Sequence, residues 1–93
     1  MKNKFISILI AFSLLIGLTA TASAASVYTH GGKWSYGVGS KYVWSYYYHG
    51  NKGHSSTAIG KYESYSGYTR SGEQSKASAV KAWFGNETYY NIY

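Results

Sequence analysis

The stretch KYVWSYYYHGNKGHSST, residues 41–57, decides how this chain folds. It places five aromatic residues among the seven of 42–48, then His49, a glycine-bounded turn and His54. Read with a period of two, Tyr42, Trp44, Tyr46 and Tyr48 share one face, while Val43, Ser45, Tyr47 and His49 share the other. One wholly aromatic face and one mixed face suit a sheet packed on one side and wet on the other. The aromatic face is therefore expected to be the packed one. Gly50-Asn51-Lys52-Gly53 is turn chemistry, because both glycines and Asn51 tolerate positive φ. His54–Ile59, rich in Ser and Thr, is expected to return as the partner strand of a hairpin.

Upstream, Trp34, Tyr36 and Val38 alternate with Lys33, Ser35 and Gly37 as in a strand, and residues 25–32 read as a loose arm. Downstream, Tyr62, Tyr65 and Tyr68 recur every third residue, which fits neither regular period, and Gly67 argues against a helix. Residues 61–70 are expected to form an irregular strand or bulged ribbon. Ser71-Gly72 reads as a turn. Residues 73–84 are ambiguous. Ala77, Val80 and Phe84 make a helical stripe in a segment of helical propensity, and strand alternation is available as well. Gly85-Asn86 then turns the chain into a last strand with Thr88, Tyr90 and Ile92 on one face. The pattern predicts a mostly antiparallel β domain.

The first residues carry a different signal. Lys2 and Lys4 precede an apolar run of 14 residues, FISILIAFSLLIGL at 5–18, and then small residues ending in Ala22-Ser23-Ala24. The run is short for a membrane span and fits an export signal cut after Ala24. Residues 1–24 are thus expected to be a signal peptide, and residues 25–93 one secreted domain. That domain has seven Lys/Arg against three glutamates, a net charge of +4, with no Asp and no Cys. Small secreted domains usually need disulfides or a metal, since so short a chain buries little surface. Here aromatic burial and self-association are left to supply stability, and a homodimer is expected.

Catalytic readings find little support. A Ser-His-Asp arrangement needs a carboxylate to orient the imidazole, and nothing marks Glu63, Glu73 or Glu87 as a pair for glycoside hydrolysis. His49 and His54 lack the further ligand that a zinc site needs. No catalytic residue, metal or cofactor is therefore expected, and a small wall hydrolase is disfavoured. Lysines interleaved with rings point instead to binding. Single-stranded nucleic acid fits that chemistry, but an exported protein meets anionic head groups, pyrophosphates and sugars first, and nucleic acid is not expected as a partner.

The run GKWSYGVGSKYVWSYYYHGNKGHSST at 32–57, with the tail YYNIY at 89–93, resembles the lactococcin 972 family of secreted bacteriocins. The likeness is carried by Gly32, Trp34 and Gly37, by Tyr46 or Tyr48 with His49 and Gly50, by Lys52, His54, Ser55 and Thr57, and by Tyr89, Tyr90 and Asn91. The resemblance implies a small β-sandwich, a homodimer, and inhibition of wall synthesis at the division septum through lipid II on the outer face of the target-cell membrane. It also tips residues 76–84 towards strand. From the residues themselves, His49, Gly50, Asn51, Lys52, Gly53 and His54 form the candidate ligand-binding turn. Lys52 would be its cation, the backbone N–H groups its anion donors, and the histidines further donors. The alternative is a non-catalytic structural or surface-interaction protein of the cell envelope.

Overall fold

The computed structural model describes residues 4–8 and 23–93, so most of the expected signal peptide lies outside the described residues. Every element among the described residues is a strand: β1 (Lys4–Ile8), β2 (Ser23–Thr29), β3 (Gly32–Val38), β4 (Tyr42–His49), β5 (His54–Ile59), β6 (Glu63–Tyr65), β7 (Gln74–Val80) and β8 (Glu87–Ile92). They form two four-stranded antiparallel sheets, ordered β2-β3-β4-β7 and β1-β8-β5-β6. The sheets pack face to face, as expected of a sandwich.

Four expectations change. Residues 25–32 are not a loose arm, because β2 pairs with β3 along its whole length, from Ser23 opposite Val38 to Thr29 opposite Gly32. Nor do β4 and β5 form a hairpin. They lie in different sheets, so the turn at 50–53 carries the chain across the sandwich. The strand expected over 76–84 ends at Val80. Beyond it, the Asn86 carboxamide accepts from Ala82 N at 2.8 Å and donates to Ala82 O at 3.0 Å. Gly85 takes φ +79°, a conformation open to glycine at little cost. The irregular reading of 61–70 holds, with three residues in β6 and a single bridge from Thr69 to His54.

The largest correction concerns β4. Val43, Ser45, Tyr47 and His49 face the other sheet and are buried, while Tyr42 and Tyr48 are exposed and Trp44 and Tyr46 half-buried on the outer face. The register explains this inversion. Val38 opposes Val43, Tyr36 opposes Ser45 and Trp34 opposes Tyr47. Since Trp34, Tyr36 and Val38 point inward, their partners must do the same. The small Ser45 also makes room for the Trp34 indole and accepts its N–H at 2.9 Å.

Two clusters fill the interior. One is aliphatic, made of Val38, Val43, Ala58, Ala77 and Ala79. The other joins Trp34 and Tyr47 to Tyr90 and Ile92, with Tyr36 against its rim. Tyr47 and Tyr90 stack at 4.4 Å between centroids, and Trp34 meets Tyr90 edge-on at 4.8 Å. Burial first, and then the nearby Tyr90 phenol, push the Tyr47 phenol up to about 12. Its O–H donates to Thr29 O at 2.7 Å. Trp44, by contrast, lies across the outer face over glycine, where a Cβ on Gly37 would sit 2.6 Å from its ring.

The two tryptophans should therefore separate cleanly. Trp34→Ala empties a fully buried site and should cost about 3–5 kcal/mol of stability in urea denaturation. Trp44→Ala, on the outer face, should cost less than about 2 kcal/mol.

Candidate functional site

The two ends of the sandwich differ in what they do with their polar groups. At one end lie the turn at 50–53, His30 and the start of β7. The His49 ring is buried and accepts from both Asn51 N and Lys52 N at 3.1 Å through Nδ1. Its Nε2 must then carry the hydrogen, which it donates to His30 O at 3.1 Å. His54 is fully buried, with Nδ1 2.8 Å from Lys52 O and Nε2 2.7 Å from Glu73 O. The ring thus spans two carbonyls, one from the turn and one from the residue before β7.

Neither ring therefore faces solvent as a ligand donor. Two of the four backbone amides expected to greet an anion are directed at His49 instead. The outward part of the turn consists of Gly50, Asn51 and Lys52, all exposed. The histidines fix the arch between the sheets: His49 closes the turn on itself, and His54 ties it to the entry of β7. His54→Ala would leave the Lys52 and Glu73 carbonyls without these bonds, and should lower stability by about 2–4 kcal/mol in urea denaturation. Lys52→Glu, on the exposed side of the same turn, should change stability by less than about 0.5 kcal/mol.

The opposite end gathers residues that sequence reading left apart. Lys41 precedes β4, Lys61 follows β5 and Lys81 follows β7. Backbone bonds draw the three together, since Lys81 N donates to Lys41 O at 2.9 Å and Lys61 N donates to Val80 O at 2.8 Å. Between them is a cleft of about 300 Å³ lined by Ser40, Lys41, Lys61, Val80, Lys81 and Trp83. A second hollow, about 390 Å³, shares Ser40 and Lys41 and runs onto the outer face of β4 beside Tyr42, Trp44 and Tyr46. Among the described residues the one salt bridge is Arg70–Glu73, so no carboxylate pairs with these lysines. Glu63 and Glu87 lie at the same end in the sheet that also carries Lys61, with Glu87 accepting the Tyr89 O–H.

The sequence did hold a signal for this end. Lys41, Lys61 and Lys81 each stand at a strand end, and each is followed within two residues by a ring: Tyr42, Tyr62 and Trp83. No local motif joins them, because they are brought together by strand pairing alone.

A two-sheet β domain, with one end closed by its own hydrogen bonds and a basic, aromatic end left open, is the class that the structure defines. A family model described as Bacteriocin (Lactococcin_972) matches residues 30–90, and the chain belongs to that family of antibacterial bacteriocins. The matched region runs from the entry of β3 to the middle of β8 and includes both ends of the sandwich. No curated protein and no solved structure matches the chain.

Proposed function

We propose that this bacteriocin, exported through its signal peptide, acts without catalysis by binding lipid II on the outer face of the target-cell membrane, and so stops wall synthesis at the septum. The observation that carries this reading is the convergence of Lys41, Lys61 and Lys81 on one cleft beside exposed rings. A lipid-linked pyrophosphate concentrates negative charge, and lysine is a compact cation suited to it. Its sugars present apolar faces, and the adjoining hollow at Tyr42, Trp44 and Tyr46 offers rings against which such faces can stack.

Binding to vesicles with and without lipid II tests this reading. Lys41→Glu combined with Lys61→Glu should weaken precursor-dependent binding at low salt by about tenfold or more. Lys52→Glu, at the other end, should weaken it by about twofold at most. Loss with Lys52→Glu alone would move the site back to the turn at 50–53. Growth inhibition of susceptible bacteria by the unchanged protein separates this reading from that of an envelope structural protein.

Homodimerisation has its own support. In the sheet β1-β8-β5-β6, β8 is covered on its outer side by β1, which lies within the segment expected to be removed. Cleavage after Ala24 would leave that edge of β8 with unpaired N–H and C=O groups, a template for a second copy. Sedimentation equilibrium of the cleaved protein at micromolar concentration should give the dimer mass, and the monomer mass throughout would count against it.

A further inference from the structure

Beyond β7 the chain presents two large rings to water. Trp83 is 89% exposed and Phe84 72% exposed. Neighbouring apolar rings on a loop tip are not explained by packing, because neither contributes to the interior clusters. Nor are they on a slack loop. The buried Asn86 carboxamide holds Ala82 through both its N–H and its C=O, fixing the loop at its base. Lys81 is tied to Lys41 immediately before the rings. At the same end, Tyr42 and Tyr62 are about half exposed, at 51% and 52%. Two apolar rings at the tip, tyrosines at the same end and three lysines that form no salt bridge among the described residues match the groups of a membrane interface. Apolar groups enter the acyl boundary, amphipathic rings rest among head groups, and cations meet lipid phosphates.

We infer that the Trp83–Phe84 loop is a membrane seat, inserting both rings into an anionic lipid surface while Lys41, Lys61 and Lys81 contact its phosphates. Charge complementarity selects this occupant over an apolar protein groove, because the three lysines line one cleft with Trp83 and, among the described residues, none forms a salt bridge, although Glu63 and Glu87 lie in the sheet that carries Lys61. The seat does not depend on the lipid II reading, since it requires only the lipid surface. It would hold the lysine cleft at the depth of the phosphate layer and so raise the local concentration of any lipid-linked phosphate presented there.

The test uses vesicles without precursor, of phosphatidylcholine alone or with phosphatidylglycerol, and then the anionic vesicles supplemented with lipid II. The protein should co-sediment with the anionic vesicles, and its tryptophan emission should shift to the blue. Trp83→Phe should abolish most of that shift, since Trp34 is fully buried and Trp44 is half-buried against the outer face of β4. A shift that persists in Trp83→Phe would point to Trp44 and count against the seat. The double variant Trp83→Ala with Phe84→Ala should keep the far-ultraviolet spectrum of the folded protein and bind anionic vesicles at least about tenfold more weakly. Replacing any one of the three lysines by Ala should weaken binding by about fivefold at low salt. Binding only where lipid II is present, with no change in emission, would overturn the seat while leaving the lipid II reading intact. Anionic binding that the double variant does not weaken would also overturn it. A double variant that alters the sedimented mass and not vesicle binding would assign the rings to a protein partner and overturn the membrane proposal.

Discussion

The stack of Tyr47 on Tyr90 is the contact on which the rest of the sandwich depends. It joins the centre of one sheet to the centre of the other at 4.4 Å, and the Trp34 edge closes the third side. Such a core is available to a short chain without cysteine because each ring buries a large area. Its cost is polar: two phenols and an indole N–H enter the interior and need partners. Each has one. The Trp34 N–H reaches Ser45 Oγ, which passes its own hydrogen across the sandwich to Tyr89 O at 2.8 Å. The Tyr47 hydroxyl bonds Thr29 O, and the Tyr90 hydroxyl meets His30 Nδ1 at 2.7 Å and Thr29 Oγ1 at 3.0 Å. The rings therefore also fasten the end of β2, which explains why residues 25–29 are a paired strand and not an arm.

Choosing Tyr47 for the interior fixes every other side chain of β4. A strand has two faces, so Tyr42, Trp44, Tyr46 and Tyr48 must then lie outside. Hydrophobicity could not decide between the faces, since both carry tyrosine and the exposed one carries the tryptophan. The information lay in pairing. Val38 and Val43 flank a short connection, and an antiparallel pair joined that way places opposed residues on the same side of the sheet. Once Trp34 and Val38 are inward, Val43, Ser45 and Tyr47 follow. Strand existence was legible in β3, β4 and β8 from alternation, and in β5 only from the turn that precedes it. Which face was buried required the partner.

The same distinction separates the two ends of the molecule. His49, the glycines and His54 are close in sequence and were easy to single out, but proximity in sequence is also what lets them serve one another. Local hydrogen bonds from Asn51, Lys52 and His54 close the arch from within, as short polar segments do when they compete for backbone partners. Lys41, Lys61 and Lys81 have no local relation and were legible only as isolated strand-end cations. Long-range strand pairing brings them together, and no periodicity argument reaches that far.

Mutual repulsion would separate three such lysines if their backbones were free to move. The Lys81–Lys41 and Lys61–Val80 bonds prevent that, because each forms part of the closure of the sandwich. Moving one lysine away would break a backbone bond beside the aliphatic cluster, where the Val80 carbonyl lies so close to Gly60 that a Cβ there would clash with it and press on Val43. The domain thus holds an arrangement that its own carboxylates do not neutralise, at the end where Trp83 and Phe84 also remain uncovered. Charge that a fold gathers and leaves unpaired is relieved by an external anion, and apolar surface left beside it is relieved by a nonaqueous phase. A lipid phosphate layer supplies both at once, which is the physical reason for treating the lysines and the rings of this end as one surface.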